Sequence, residues 1–199
     1  MTDSLNKVFF IQDLAFYRSK FPVLADKILV GDGCFSYVFE GTKSSTVLKL
    51  TCDSVYAEFI RLKGGEFGIP KLLNDYGSIH TELYGEVFLF EIERLRPLSK
   101  WDHDGMILER EAISSAVSYK VAISEIESGL MPCQVAQAAA LDEVRMSGIF
   151  SDSASSTLSA IAEYMKVTDL DVLLDLQNPD NFMTNGRHLI ITDPLQTVT

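Results

Sequence analysis

The sequence is poor in the features that build disulfide frameworks, zinc sites and membrane spans. Its three cysteines, Cys34, Cys52 and Cys133, are odd in number and widely spaced, and no Cys-x-x-Cys pair is present. This pattern argues against a disulfide scaffold and against a structural zinc site. No apolar run approaches the roughly 20 residues that a membrane-spanning helix needs, and the polar residues 1–7 are not typical of a signal peptide. We therefore expect a cytoplasmic protein with reduced thiols and no membrane partner.

Basic residues are also scarce. Lys and Arg total 17 against 28 Asp and Glu, which gives a net charge of −11. A protein that binds the phosphate backbone shows the opposite sign, so a nucleic-acid partner is not expected. The deficit lies in residues 101–199, which hold 15 acidic and 5 basic residues, whereas residues 1–100 hold 13 and 12. An acidic half attracts cations and basic protein segments, so we expect a partner or substrate with a basic surface.

The remaining composition is that of a globular protein. The 199 residues are 47% hydrophobic and 23% charged, which is enough apolar material for a buried core. Strand-like runs dominate the first half and helical spacing dominates the second, which predicts an α+β protein with two lobes. We expect an antiparallel β lobe with one helix over residues 1–97 and a reduced helical lobe over residues 98–199. The predicted strands lie at 27–31, 35–40, 46–51, 72–79 and 83–92, and the predicted helices at 8–22, 53–63 and 156–166, with a further pair within 104–148 separated near Gly129 and Pro132.

Local patterns predict how several of these elements begin, turn and pack. Asp53 or Ser54 is expected to cap the helix at 53–63. Asn185-Gly186 lies between two apolar runs and predicts a two-residue turn in a hairpin over 181–193. A buried helix face is predicted where apolar residues follow the i, i+3, i+4, i+7 spacing, at Leu158, Ile161, Ala162 and Met165.

A glycine-containing segment, 31–36, lies between two predicted strands. Glycine there lets backbone N–H groups approach a phosphate with no side chain in the way. A dinucleotide-binding fold would need a helix directly after the turn, and the strand-forming residues 35–40 argue against one. Two interpretations stay open: an ordinary glycine hairpin, or a phosphate-binding loop in which Gly31, Gly33 and Ser36 offer their N–H groups.

Lys49 is a single cation in the apolar strand Val47-Leu48-Lys49-Leu50. It could point to solvent from an edge strand. It could also reach phosphates held by the glycine loop, because its strand follows that loop. Glu58 on the next helix is then a candidate to orient Lys49 as an ion pair, although a helical glutamate is commonly just solvated.

Oxygen-bearing side chains recur near the C-terminal hairpin. Asn181 enters its first predicted strand and Asp193 leaves its second, so both can face one hard cation such as Mg²⁺. Asp175 lies on the preceding loop, where it could accept a proton. Each of these residues could instead cap a turn, as loop Asp and Asn residues commonly do.

The order of these parts resembles the protein-kinase-like superfamily. GDGCFSYVF resembles the glycine loop, VLKL the lysine strand, FEIERLRPL the hinge and DLQNPDNFM the catalytic loop, while ITDP stands in place of Asp-Phe-Gly. The chain resembles most closely the early serine/threonine protein kinases of short-tailed lytic coliphages. That resemblance rests on the GxGxFS loop, the short strand that contains Leu48-Lys49, the helix that runs into Gly68-Ile69-Pro70, and the Asn-Gly hairpin that ends in ITDP.

The resemblance implies an ATP-dependent serine/threonine kinase that phosphorylates host proteins in the bacterial cytoplasm during host takeover. Lys49, steadied by Glu58, would hold the α- and β-phosphates, and Asp175 would orient the acceptor hydroxyl. The implied cofactors are ATP, its adenine lined by the backbone of Glu93 and Leu95, and Mg²⁺. The chain ends six residues after Asp193, so a kinase domain alone is expected, and its short C-terminal lobe is compatible with a homodimer.

Two other functions stay open. A pseudokinase would keep the fold but act by binding and blocking a host protein, and its acidic helical lobe could mimic a nucleic acid. A small-molecule phosphotransferase of the aminoglycoside type would share the ERLRPL and ITDP segments. Labelled ATP and Mg²⁺ would discriminate between the enzymes and the blocker.

Overall fold

A computed structural model describes residues 14–99, 102, 104–128 and 133–197. The chain forms two compact units, which are described one at a time. The first comprises residues 1–57 and 71–94, and the second comprises residues 58–70 and 95–199. The predicted boundary between residues 97 and 98 stays a prediction.

The first unit is built on a five-stranded antiparallel sheet with the strand order β1-β2-β3-β5-β4. β3 is therefore the central strand, flanked on both sides by hydrogen-bonded neighbours. Alternate residues of its neighbour β2 are buried, as the period-two pattern predicts. The strands are β1 (Leu29–Asp32), β2 (Ser36–Glu40), β3 (Thr46–Thr51), β4 (Leu72–Thr81) and β5 (Gly85–Glu93).

One face of this sheet packs against the short helix α1 (Leu14–Lys20) and the 3-10 turn Pro22–Leu24. Helix α2 (Ser54–Lys63) follows β3. The backbone N–H of Tyr56 donates to Oδ1 of Asp53 at 3.0 Å, so Asp53 rather than Ser54 caps this helix. The buried core on the α1 side consists of Tyr17, Phe21, Leu24, Tyr37, Phe39, Leu48, Leu50, Val87 and Leu89.

The second unit is mainly helical. Its helices are α3 (Asp104–Ser128), α4 (Gln134–Met146) and α5 (Asp152–Val167), and Gly129 and Pro132 lie outside the described residues. The predicted apolar face of α5 is confirmed, because Leu158, Ile161, Ala162 and Met165 are all buried. The short strands are β6 (Arg96–Pro97), β7 (Val172–Leu174), β8 (Phe182–Thr184), β9 (Leu189–Ile191) and β10 (Leu195–Thr197).

The predicted hairpin is present, but its predicted turn is wrong. β8 and β9 pair antiparallel with Phe182 opposite Ile191 and Thr184 opposite Leu189. Four residues rather than two connect them, and the side chain of Asn185 accepts from the N–H groups of Arg187 and His188, each at 3.1 Å. Gly186 has a φ of +90°, whereas Asn185 does not adopt a positive φ. The two-residue turn would require positive φ at both positions.

These elements make a mixed α/β architecture with an antiparallel N-terminal sheet and a helical C-terminal part. The predicted α+β class is confirmed, with an antiparallel β-sheet part followed by a helical part. No helix among the described residues has the length and apolar character needed to cross a membrane. Cys34, Cys52 and Cys133 are free thiols, and burial together with the nearby Asp53 raises the pKa of Cys52 to about 11.

Candidate functional site

In the second unit, two short strands hold the start of the 175–181 loop. β7 and β10 pair antiparallel, with Leu174 opposite Leu195. The N–H of Asp175, directly after β7, donates to the carbonyl of Pro194 at 2.8 Å. This pairing places Asp175 beside the segment that contains Asp193, although the two residues are far apart in sequence.

Asn181 closes the other end of the same loop. Its amide nitrogen Nδ2 donates to the Asp175 carbonyl oxygen at 2.8 Å and to the Asp175 carboxylate Oδ2 at 2.9 Å. The loop between them turns tightly, because Asn178 accepts from the N–H of Asp180 and begins the 3-10 turn Pro179–Asn181. Asn181 is 7% exposed and Asp175 is half-buried, so this contact is a part-buried bridge from an amide to a carboxylate.

The hairpin then brings Asn181 next to Thr192, the residue before Asp193. The backbone N–H of Thr192 donates to the carbonyl of Asn181 at 2.8 Å, and the Thr192 hydroxyl donates to the same oxygen at 3.2 Å. Asp193 follows at once. The second unit thus places Asp175, Asn181 and Asp193 near one end of the hairpin, and the roles predicted for them stay predictions.

This arrangement fits a hard divalent cation. Because the amide nitrogen of Asn181 donates to Asp175, the amide oxygen is the atom left to act as a ligand. Asp193 follows Thr192, whose N–H bonds to the Asn181 carbonyl, and its carboxylate would supply the other oxygen ligand. Among the described residues no three His, Cys, Asp or Glu side chains form a metal cluster. Mg²⁺ does not require one, since it commonly takes one or two protein ligands together with substrate phosphates and waters.

In the first unit, Lys49 lies at the middle of the central strand. It pairs with Val38 on one side and Phe90 on the other, so the interpretation of an edge-strand lysine is wrong. Its ammonium Nζ lies 3.3 Å from the centroid of the Tyr56 ring, and Tyr56 itself is 2% exposed. A cation over an aromatic face is attracted by the ring's negative potential, which holds the half-buried ammonium in a defined position.

The glycine loop joins β1 and β2. The Gly33 N–H donates to the Ser36 carbonyl at 2.8 Å and closes the turn, so a phosphate would compete with that carbonyl for this N–H. Neither Gly31 nor Gly33 has a positive φ. A Cβ at Gly31 would meet only ordinary contact with Val38 at 3.8 Å. The backbone therefore does not require glycine at position 31, and its contact with a phosphate stays a prediction.

Glu58 lies on α2 and is half-buried. Its Oε2 accepts hydrogen bonds from the Tyr164 hydroxyl and from the Thr168 hydroxyl, both at 3.1 Å. The ring of Tyr164 also packs edge-on against Phe59 at 5.3 Å. Glu58 is thus not simply solvated, and its pairing with Lys49 stays a prediction.

The predicted hinge begins at the end of β5, since Glu93 is the last residue of that strand. The Glu93 N–H donates to the Lys71 carbonyl at 3.0 Å, and the Glu93 carboxylate accepts from the Lys71 N–H at 2.9 Å. The Arg94 N–H donates to the Ser45 carbonyl at 2.8 Å. These bonds fix the backbone at Glu93, and Leu95 lies between β5 and β6. Their contact with adenine stays a prediction.

Sequence reasoning missed three residues that contact the predicted site residues Lys49 and Glu58. Tyr56 lies under the Lys49 ammonium, and Tyr164 and Thr168 hold Glu58. Tyr56 carries a weak signal, because it is an aromatic residue three positions after the helix cap. Nothing in the sequence signals the partners of Glu58, since they lie 106 and 110 residues away from it.

Comparisons with known proteins find distant likenesses among solved structures. No family model and no curated protein matches the chain. Among solved structures, the chain is similar to the GDP complex of a mutant aminoglycoside 2'-phosphotransferase-IIIa, with 17% identity and a TM-score of 0.39. The match covers 92% of this chain and 70% of that chain. A likeness this distant assigns neither an activity nor a ligand.

Proposed function

We propose that this chain is an ATP-dependent phosphotransferase that phosphorylates serine or threonine side chains of proteins. The observation that carries the proposal is the closed 175–181 loop, in which the buried Asn181 amide bridges to the Asp175 carboxylate beside Asp193. A turn-capping role does not explain it, because Asn178 already caps the local turn.

The reaction assigns a separate task to each side chain of this loop. The acceptor hydroxyl forms a bond to the γ-phosphorus while the bond from that phosphorus to the ADP oxygen breaks. The hydroxyl proton passes to the Asp175 carboxylate, whose orientation the Asn181 amide fixes. Asn181 and Asp193 would hold Mg²⁺, which neutralises the phosphate charge when bound.

The β-sheet unit supplies the groups that bind the nucleotide phosphates in this proposal. Lys49 would hold the α- and β-phosphates from the central strand. Gly31, Gly33 and Ser36 would offer their N–H groups, with Glu93 and Leu95 beside the adenine. Phosphate transfer is mainly a matter of positioning and charge neutralisation, so a fixed cation on a rigid strand suits it.

The test is transfer from labelled ATP in the presence of Mg²⁺. We expect the protein to label itself or a generic protein substrate such as casein. Lys49→Ala and Asp193→Ala should each abolish the labelling, and Asp175→Ala should reduce it at least about a hundredfold.

Two matched controls separate these roles from loss of charge. Asp180→Ala removes an exposed carboxylate from the same loop, and Lys43→Ala removes an exposed ammonium from the turn before β3. Both should keep full labelling. Retained labelling in Lys49→Ala or in Asp193→Ala would refute the proposed roles.

A pseudokinase that blocks a host protein is the second candidate. It is favoured by the hydrogen bonds that Glu58 and the Gly33 N–H already make within their own units, since both groups would be needed for nucleotide binding. Absence of labelling, combined with tight capture of one purified host protein, would support this candidate. The motifs' resemblance to early phage kinases supports a bacterial host protein with a basic surface as the target in either case.

A further inference from the structure

One side of helix α3 presents large apolar side chains to solvent. Leu108, Tyr119 and Ile126 are 64%, 65% and 81% exposed, respectively. Ile113 and Val117, on the opposite side of the same helix, are buried. The helix therefore packs into its unit through one side and presents a second apolar side outward.

The outward side follows a regular spacing. Steps of four, three, four, three and four residues connect six positions of α3, and all six are exposed. This is the heptad spacing by which one helix presents a continuous seam to another helix. The seam is called here the α3 stripe, and it consists of Leu108, Ala112, Ser115, Tyr119, Ala122 and Ile126.

The shape of the stripe suits a facing helix. Its large side chains are separated by small ones, at Ala112, Ser115 and Ala122. Large side chains of a second helix can insert above such small residues, as knobs insert into holes. The stripe runs from residue 108 to residue 126, which is about 27 Å along the helix axis, so it matches a partner helix of about five turns.

The charges beside the stripe are mainly negative. Glu111 and Glu125 are exposed and lie two heptads apart, so they flank the stripe on the same side. Arg110 is paired with Glu111 at 3.2 Å. Lys120 is paired with Glu143 of α4 at 2.7 Å. The sequence of α3 contains five acidic residues against these two bases, so lysine or arginine on a partner helix would complement it.

Two other occupants fit this surface less well. A second copy of the chain would bring one acidic helix against another, and like charges oppose that association. An anionic lipid surface attracts helices that are rich in lysine and arginine, whereas α3 is acidic. The negative charge therefore favours a basic partner of different sequence.

We propose that the α3 stripe binds an amphipathic helix of a partner protein, about 18 residues long, with apolar residues at heptad spacing and lysine or arginine beside them. This inference goes beyond the proposed phosphotransfer and does not depend on it, because the stripe uses none of the residues assigned to that reaction.

The experiment measures binding of the full chain to a fluorescein-labelled peptide by anisotropy, without nucleotide. The peptide has about 18 residues, with leucine at heptad spacing, lysine at the flanking positions and glutamine elsewhere. One control peptide contains the same residues in scrambled order, and a second has glutamate in place of lysine. We expect the first peptide to bind at least about tenfold more tightly than either control.

Variants of the protein locate the binding surface. Leu108→Ser and Tyr119→Ser each remove a large exposed side chain from the stripe, and each should weaken binding at least about fivefold. The matched control is Leu62→Ser, the same change at a 58% exposed leucine of α2, which should leave the Kd unchanged. Circular dichroism checks the fold, and either stripe variant alone carries the test if the other is unfolded.

Several results would overturn the proposal. They are no binding of the first peptide, equal binding of the scrambled peptide, and an unchanged Kd in the folded stripe variants. Sedimentation that shows a dimer of the protein, separated by Tyr119→Ser, would assign the stripe to a second copy instead. Binding to phosphatidylglycerol vesicles that Tyr119→Ser abolishes would assign it to a membrane. Since no nucleotide is present, none of these results decides whether the protein transfers phosphate.

Discussion

The amide of Asn181 shows how one buried side chain can serve both stability and chemistry. Its side-chain nitrogen Nδ2 donates to the backbone carbonyl and to the carboxylate of Asp175. The backbone carbonyl of Asn181 accepts from the Thr192 N–H. The residue thus joins a loop, a hairpin and the proposed proton acceptor. Removing its side chain breaks the two bonds to Asp175 and leaves the backbone bond to Thr192 in place.

Asn181→Ala should lower the free energy of unfolding by about 1–3 kcal/mol, because it leaves buried partners without their donor. It should also abolish phosphate transfer. Urea unfolding and ATP labelling measure the two effects. Asn178→Ala, which removes only the local turn cap, is the control and should keep labelling. Full activity in Asn181→Ala would contradict the assigned role.

Glu91 is the most completely hydrogen-bonded carboxylate described in the sheet unit. Only 5% exposed, it accepts from the Thr42 N–H at 2.9 Å, from the Thr42 and Thr46 hydroxyls, and from the Tyr76 hydroxyl at 3.1 Å. Burial by itself would raise the pKa of Glu91, but these hydrogen bonds outweigh it and hold the pKa below the ordinary value of 4.5.

A lowered carboxylate pKa makes stability depend on pH in one direction. The contribution of Glu91 is complete above pH 4.5 and is lost as the pH falls towards the lowered value. The Tm should therefore fall across this range, and Glu91→Gln should flatten the fall. Thermal unfolding at a series of pH values measures it, with the exposed Glu82→Gln as control. An equal slope in wild type and Glu91→Gln would show that other carboxylates dominate.

At the scale of elements, the segment between α2 and β4 packs closely against α5 and β9 at one glycine, Gly68. Gly68 has a φ of +80°, and its carbonyl accepts from the Ile191 N–H of β9 at 2.9 Å. A Cβ there would lie 1.8 Å from the hydroxyl oxygen of Thr157, which is buried on α5. Both the conformation and the space therefore require glycine.

Gly68→Ala should destabilise the protein by about 3–5 kcal/mol, since it adds steric overlap to an unfavourable backbone conformation. Gly148→Ala is the matched control. Gly148 has a φ of +72°, but nothing would lie within 4 Å of a Cβ added there. That change should cost only about 1–2 kcal/mol. Denaturant unfolding compares the free energies of unfolding of the two variants. An equal loss in both would mean that the positive φ alone, and not the steric overlap with Thr157, causes the destabilisation.

Long, regular elements could be predicted from the sequence, whereas the pairing of short strands that lie far apart in the sequence could not. The strand at Thr46–Thr51 has its predicted bounds, because its alternation and the flanking turn residues are local signals. The approach of Thr192 to Asn181 was also predictable, since a hairpin brings its own ends together, whereas the roles of Asp175, Asn181 and Asp193 stay predictions. By contrast, β7 and β10 have three residues each and pair across more than 20 positions, so no local pattern marks them. The position of Tyr56 under Lys49 likewise depends on how α2 lies on β3.

At the scale of the whole molecule, the uneven charge would favour basic substrates in the proposed function. The net charge of −11 arises almost entirely in residues 101–199, which contain the proposed catalytic loop. Such a field raises the local concentration of basic segments and is screened by salt.

We expect peptides with one added lysine to have a lower KM than neutral ones at about 50 mM salt, and this advantage to shrink several-fold at about 500 mM. Neutral peptides should change little. Steady-state kinetics at the two salt concentrations measure the difference, with a peptide carrying one added glutamate as the opposite control. An advantage of lysine that salt leaves intact would point to a specific ion pair instead.

The bond from the Asp175 N–H to the Pro194 carbonyl turns the chain between them into a closed ring. Such a ring limits where insertions and deletions can be accepted during evolution or in the laboratory. Within it, the 175–181 segment is tied at both ends and the two strands are mostly buried, whereas residues 185–188 are exposed. Added residues are therefore best accepted at 185–188, which makes the hairpin tip the natural place for a reporter group.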